Sequence, residues 1–280
     1  MYVEHLRLER SFAFCRVWGS HEKHDLHIHD CLEIGVLLNN ELEYRFSHRT
    51  YYGRPGDVFL CRPFEPHWSY AKPDQPFECI LILFTPSSVR NIPKGNKLLA
   101  PFYAKHYIRP LIPANTPFAR KIKSAAINAM KAQENGEDSW LTQQYMHLIE
   151  ILLQVNEFAK DHFKPSNENL PLSKVGDIVG YMLDHYKDQL DSDTLAKKTG
   201  MGRTMFYREF RMLTGLSPNQ FLNRLRVQNA MDLLHSTNEN MIDLAFASGF
   251  QSLSAFNKQF KRFTGQSPRD YRKRMGLIHM

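Results

Sequence analysis

Several things are scarce in this sequence, and each shortage excludes something. Cysteine occurs four times in 280 residues (Cys15, Cys31, Cys61 and Cys79) with no CxxC spacing. That excludes a disulfide scaffold and leaves a cysteine-built structural zinc site without support. No apolar run reaches the roughly 18 residues a membrane helix needs, and residues 78–84 (ECILILF) have the length of a strand, so no membrane partner is expected. The first residues, MYVEHLRLERSFAF, show no apolar core followed by a small-residue cleavage site, so no signal peptide is expected. No Ser-His-Asp set, phosphate-binding loop or dinucleotide-binding fingerprint stands out, and no enzyme activity is expected. What remains is an ordinary globular composition, long enough for two domains, with a modest net charge of +7. A reducing cytoplasm is the expected setting.

The charge is unevenly placed. Residues 172–280 hold 16 Lys+Arg and 10 Asp+Glu, whereas residues 1–171 hold 20 and 19. Nearly all the excess lies in the C-terminal 109 residues, as it would if a nucleic-acid-binding half were joined to a neutral half. All four cysteines and 10 of the 13 histidines fall in the neutral half.

Residues 11–86 read as short β-strands: 32–38 (LEIGVLL), Leu42-Tyr44-Phe46 alternating with charges, 58–61 and 80–84. Asn39-Asn40, 53–57 (GRPGD) and Pro73-Asp74 are turn signals between them, and such spacing suggests a sandwich or barrel. Residues 92–113 read as irregular. Asn115-Thr116-Pro117 offers a cap and a first-turn proline for a helix running to about Glu134. A second helix is predicted over about 139–163. Its Leu141, Tyr145, Leu148, Ile149, Leu152 and Val155 form one apolar stripe, able to pack on the β domain or on a second copy of the chain. Residues 164–171 (KPSNENLP) break the periodicity and read as a linker.

The most specific signal is an internal repeat. Leu195-Ala196…Gly200 matches Leu244-Ala245…Gly249, and Phe206…Phe210…Thr214-Gly215…Ser217-Pro218 matches Phe256…Phe260…Thr264-Gly265…Ser267-Pro268. Phe221 and Arg224 then match Tyr271 and Arg274. Each copy reads as helix, glycine-bearing turn, helix. The aromatics, with Phe263 in the second copy, recur at helical spacing and are expected in the core. The opposite face carries Arg203, Thr204, Tyr207, Arg208 and Arg211 in one copy and Ser252, Ser254, Asn257, Lys258, Lys261 and Arg262 in the other. Arg and Lys suit guanine edges or phosphates, Asn suits adenine, and hydroxyls suit either, so these residues are expected to contact duplex DNA.

On these residues the C-terminal half resembles the DNA-binding domain of the AraC/XylS family of bacterial transcription regulators. The match continues through Arg226, Ala230, Leu233-Leu234, Ile242, Gly249-Phe250 and Tyr271-Arg272. The resemblance implies two helix-turn-helix units, near 192–213 and 241–263, joined by a helix over about 217–235. It implies recognition helices in successive major grooves, with Thr204, Tyr207 and Arg208, and Ser254, Asn257 and Lys258, at base-reading positions. Gly202 departs from the serine cap common in the family.

In the neutral half, His27-Ile28-His29-Asp30-Cys31-Leu32-Glu33 and 56–67 (GDVFLCRPFEPH) resemble cupin motifs as found in the ligand-binding domain of AraC-type regulators. In metal-binding cupins His27, His29, Glu33 and His67 would fall at ligand-like positions; on one strand His27 and His29 share a face, and Glu33 keeps it if no bulge intervenes. The expectation is a pocket without metal or other cofactor. Arg16, Trp18, His27, His29, Arg62, His67 and Trp68 would lie near a bound sugar or small anion. Cys31 and Cys61 flank these groups, either as inert thiols or as redox sensors.

The expected whole is an α+β multidomain chain. It has a cupin-like β-barrel (1–114), two helices that could dimerise it (115–163), a linker (164–171) and an all-α double helix-turn-helix domain (172–280). The expected function is that of a cytoplasmic, nucleoid-associated regulator, an activator rather than a repressor, controlled by a small-molecule effector. Its expected partners are double-stranded promoter DNA, RNA polymerase and a second copy of itself. The alternative is a metal-binding cupin enzyme, or a metal or redox sensor, fused to a DNA-binding domain.

Overall fold

The computed structural model describes residues 2–3, 11–19, 27–28, 31–46, 49–62, 67–72, 74–103, 110–136, 138–162 and 170–276. They fall into two compact units, one of the described residues up to 162 and one of residues 170–276. The expected linker lies largely outside the described residues, as does His29.

Among the described residues the first unit holds ten strands: β1 (Tyr2–Val3), β2 (Phe12–Gly19), β3 (His27–Ile28), β4 (Leu32–Asn39), β5 (Leu42–Phe46), β6 (Arg49–Gly53), β7 (Val58–Cys61), β8 (His67–Tyr70), β9 (Phe77–Phe84) and β10 (Leu111–Ile112). They form two five-stranded sheets, ordered β1-β3-β8-β5-β6 and β10-β7-β4-β9-β2. Inward side chains from both sheets build one core that includes Leu37, Tyr44, Phe46, Phe59, Phe77 and Cys79. Tyr44 of one sheet stacks on Phe59 of the other at 4.2 Å between ring centroids. The stretch predicted as irregular carries the short helix α1 (Ala100–Tyr103) and the edge strand β10.

The apolar run of β4 has a two-sided cause. Glu33, Gly35 and Leu37 share the inner face, while Leu32, Ile34 and Val36 face outward and are equally buried. Helix α2 (Pro117–Glu134) covers the outer face, packing on β2, β4, β7 and β9. Its buried face is mostly alanine (Ala119, Ala125, Ala126 and Ala129), which allows close approach to the sheet. A strand buried on both faces needs apolar residues at every position. Thr116 caps α2, its Oγ1 accepting from Ala119 N at 3.2 Å. Helix α3 (Trp140–His162) packs on α2 through Leu148, Ile151, Leu152 and Val155. The buried Gln144 donates from Nε2 to Ala129 O at 3.2 Å and to Gln133 Oε1 at 2.8 Å. The predicted apolar stripe thus has a partner within the chain.

The second unit is all helix: α4 (Leu170–His185), α5 (Ser192–Thr199), α6 (Arg203–Thr214), α7 (Pro218–Ser236), α8 (Met241–Ala247), α9 (Leu253–Thr264) and α10 (Pro268–Gly276). Leu170 and Pro171, read as linker, fall in the first turn of α4. Proline is tolerated there because the first-turn N–H groups have no helical acceptor.

The repeat is visible atom by atom. Thr214 Oγ1 lies 2.8 Å from Phe210 O and 3.1 Å from Leu216 O, and Thr264 Oγ1 lies 2.8 Å from Phe260 O and 3.1 Å from Gln266 O. Phe210 meets Phe221 edge-on at 5.5 Å, and Phe260 meets Tyr271 at 5.4 Å. Gly215 and Gly265 end the second helix of each copy at φ 76° and 77°. Phe206, Phe210, Phe256 and Phe260 are fully buried, as expected. Phe263 is only partly buried.

Candidate functional site

In the helical unit, α5 and α6 form one helix-turn-helix and α8 and α9 the other, with α7 between them. Asp191 starts α5 by accepting from Asp193 N and Thr194 N at 3.2 and 2.8 Å. The Thr194 hydroxyl, donating to Asp191 Oδ2 at 2.8 Å, and after it these two backbone bonds hold the Asp191 carboxyl below its ordinary pKa. Asn240 starts α8 in the same manner, accepting from Ile242 N and Asp243 N, both at 3.0 Å. Ser252 caps α9, its Oγ accepting from Ala255 N at 3.2 Å, whereas Gly202 gives α6 no side-chain cap.

All eleven expected DNA contacts lie on the solvent side of α6 and α9, and only Tyr207 among them is partly buried. The two faces differ in how free their charge is. Arg208 donates from Nε and Nη2 to Glu209 Oε1 at 3.0 and 2.8 Å, and Glu209 is buried. Arg203 lies 3.3 Å from Asp193 Oδ1 and 5.6 Å over the Tyr207 ring. Helix α9 contains no acidic residue, so Lys258, Lys261 and Arg262 carry undiluted charge. The sequence reading missed a basic groove lined by Asn240, Met241, Arg269, Asp270, Arg272 and Lys273, where Arg272 Nη1 donates to Glu239 O at 2.6 Å. The sequence signal for it is the RKR run at 272–274.

A second network fixes the frame. Arg226 on α7 donates from Nε to Tyr186 O and from Nη2 to Asp188 O, both at 2.8 Å. Tyr186 Oη donates to Asn229 Oδ1 at 2.9 Å, and Gln189 Nε2 to Gln251 Oε1 at 2.7 Å. Arg226, Gln228 and Asn229 are buried polar groups in the middle of α7. Arg226 and Asn229 hold the segment after α4 against α7, and Gln189 ties it to the turn after α8.

The β domain holds a different kind of site. Glu33 on β4 stands directly opposite Cys61 on β7, and His67 opens β8 in the other sheet. One donor atom from each lies within 4.8 Å of the others, and all three are buried. Tyr44 Oη donates to Glu33 Oε1 at 2.9 Å, and Cys61 Sγ lies 3.5 Å from the same oxygen. Burial, with the acidic neighbours Cys61 and Glu33 adding to it, pushes the Tyr44 phenol well above its usual pKa, so it stays a donor. Burial first and Glu33 second also raise the Cys79 thiol.

The expected effector groups do not all meet here. His67 faces inward opposite Phe46, but Trp68, the next residue, faces outward opposite Arg45, whose guanidinium sits 4.7 Å over its ring. Arg16 and Trp18 lie on the edge strand β2. Arg16 Nη1 pairs with Glu78 Oε1 at 3.1 Å, and Trp18 is 65% exposed. Arg62 follows β7 and is partly buried. The strand parity expected for the metal-ligand positions does not hold. β3 ends at Ile28 in one sheet and β4 begins at Leu32 in the other, so His27 and Glu33 share no strand. The backbone of His27 pairs with that of His67. The residue that does join Glu33 and His67 is Cys61, and only the β4–β7 register could have revealed it.

A two-sheet β domain with an enclosed polar cluster, in one chain with a duplicated helix-turn-helix, defines a ligand-responsive DNA-binding class of protein. Residues 14–149 match the AraC-like ligand binding domain and residues 195–274 a helix-turn-helix domain. The chain belongs to the AraC family of transcription regulators. It is 23% identical over 251 residues to the HTH-type transcriptional activator RhaS of Enterobacter sp. (strain 638), covering 88% of this chain and 87% of that one. Among solved structures, the DNA-binding domain of AdpA in complex with a target DNA is 36% identical, covering 39% of this chain and 95% of that one at a TM-score of 0.36. ToxT from Vibrio cholerae O395 is 13% identical, covering 95% of this chain and all of the other at a TM-score of 0.47. Among the described residues no helix is long and apolar enough to cross a membrane.

Proposed function

We propose that this chain activates transcription by binding promoter DNA through α6 and α9 together, under control of a small molecule taken up by its β domain. The observation that carries this reading is the duplicated helix-turn-helix, whose two second helices bury identical aromatic faces and expose polar, basic ones. Arg203, Thr204, Tyr207, Arg208 and Arg211 would serve one major groove, and Ser252, Ser254, Asn257, Lys258 and Lys261 the next. Activation rather than repression is supported by the RhaS relative, named as an activator. The work would be done in the bacterial cytoplasm, without catalysis, by a homodimer that contacts RNA polymerase. The effector would be a sugar or a small anion taken into the β domain.

The test is binding of the full chain to duplexes from upstream of its own gene and its neighbours, followed by fluorescence anisotropy from low to high salt. Specific binding whose affinity falls steeply with salt is expected. A folded chain that binds no duplex at low salt overturns the reading.

A further inference from the structure

Three donors of different chemistry converge at the seam between the two sheets. Glu33 offers a carboxylate oxygen, Cys61 a sulfur and His67 a ring nitrogen, all within 4.8 Å of one another and all at most 4% exposed. They come from β4, β7 and β8, so two arrive from one sheet and the third from the other. Zinc takes such ligands at about 2.0–2.3 Å, which sets tetrahedral neighbours about 3.3–3.8 Å apart. The pair formed by Cys61 Sγ and Glu33 Oε1 already stands at 3.5 Å.

We propose that Glu33, Cys61 and His67 bind one divalent metal ion of borderline softness, of the zinc class, which ties the two sheets together. The donor set selects the metal: a thiolate and an imidazole suit zinc or cobalt, whereas magnesium and calcium take oxygen. Charge supports the same choice. A dication with one carboxylate, one thiolate and a neutral imidazole is neutral overall, and a neutral assembly is the form a buried site tolerates. Binding exchanges a proton for the metal. The Cys61 S–H bond breaks, an Sγ–metal bond forms, the proton passes to the buffer, and no electron is transferred. Affinity therefore falls as pH falls. Tyr44 has a positioning role: its hydroxyl fixes Glu33 Oε1 at 2.9 Å, and its ring lies nearly parallel to His67 at 6.4 Å. The inference goes beyond the regulator reading and does not depend on it, since it concerns only what the seam holds.

The test uses the full chain, stripped with chelator and titrated with Co²⁺ and then Zn²⁺. One Co²⁺ per chain is expected, with a thiolate-to-cobalt charge-transfer band that Zn²⁺ abolishes and Mg²⁺ leaves unchanged. Cys61→Ser should lose the band, while Cys31→Ser and Cys79→Ser keep it. Tyr44→Phe should keep the band and weaken binding about 10–100-fold, as losing an outer hydrogen bond does at metal sites. X-ray absorption on the zinc-loaded wild-type chain needs no variant to fold and should show one sulfur among nitrogen and oxygen ligands. A chain that takes up no Co²⁺, a band that survives in Cys61→Ser, or a zinc shell without sulfur overturns the proposal.

Discussion

The first helix-turn-helix unit turns at Gly200 and the second at Gly249, both with positive φ, yet their surroundings differ sharply. A Cβ at Gly200 would meet only the tip of Lys174, 3.8 Å away. At Gly249 it would stand 2.8 Å from Lys187 Cα and 3.0 Å from Tyr186 O. The first turn needs glycine for its backbone angle alone, and the second also for space. The same contrast runs through α6 and α9. Helix α6 starts without a side-chain cap and has Arg203 and Arg208 engaged with Asp193 and Glu209, while α9 is capped by Ser252 and carries no acid. Two copies with one core have thus diverged in fixation: the second is held against the frame with its charge available, and the first is held more loosely with its charge restrained.

The largest effect should separate the two glycines. Gly249→Ala adds backbone overlap to left-handed strain and should destabilise the chain by about 2–5 kcal/mol, whereas Gly200→Ala should cost about 1–2 kcal/mol. Chemical denaturation measures both, and equal losses would break the contrast. Next comes DNA. Lys258→Ala should weaken specific binding by about 1–3 kcal/mol, and Arg208→Ala by no more than about 1 kcal/mol, because Arg208 must first leave Glu209. Anisotropy with the cognate duplex would read the difference, and a larger loss for Arg208→Ala would reverse the assignment. Ser252→Ala should cost about 1 kcal/mol of stability, and Gly202→Ser should add a few tenths.

The smallest effect is one of pH. The folded-state pKa of Asp191 lies below its unfolded value, so its capping contribution is present above the unfolded pKa of about 4 and is lost as pH falls through the folded value. Its counterpart Asn240 does not titrate. Asp191→Asn should therefore flatten the acid dependence of melting temperature, and Asn240→Asp should steepen it.

The helical unit was legible because its information is local. Glycine ends, proline starts and aromatic spacing of three and four recur in two copies, and each constrains its own neighbourhood. Capping asymmetry could be read from Gly202 against Ser252 alone. The β domain was legible in its apolar strands, such as β4, whose two buried faces leave a continuous run, and in β5, whose Leu42, Tyr44 and Phe46 alternate with charged residues. β2, β6 and β8, half exposed and mixed in composition, carried no comparable signal. The meeting of Glu33, Cys61 and His67 depends on strand pairing across 28 positions of sequence and on the packing of one sheet against the other, which no local pattern encodes. Arg16, Trp18 and Trp68 were grouped with His67 by residue type, and the pleat and the sheet edge set them elsewhere.

The Arg226 network has a consequence for the DNA rather than for the protein. With α7 clamped to the segment after α4 and to the second turn, the separation and phase of α6 and α9 are fixed by the protein. A duplex gains about 34–36° of rotation per added base pair, given 10–10.5 base pairs per turn. One inserted pair between the two sequences read would turn the second out of register with a frame that cannot follow. If both helices read bases as proposed, the spacing of the operator is set in part by a buried arginine.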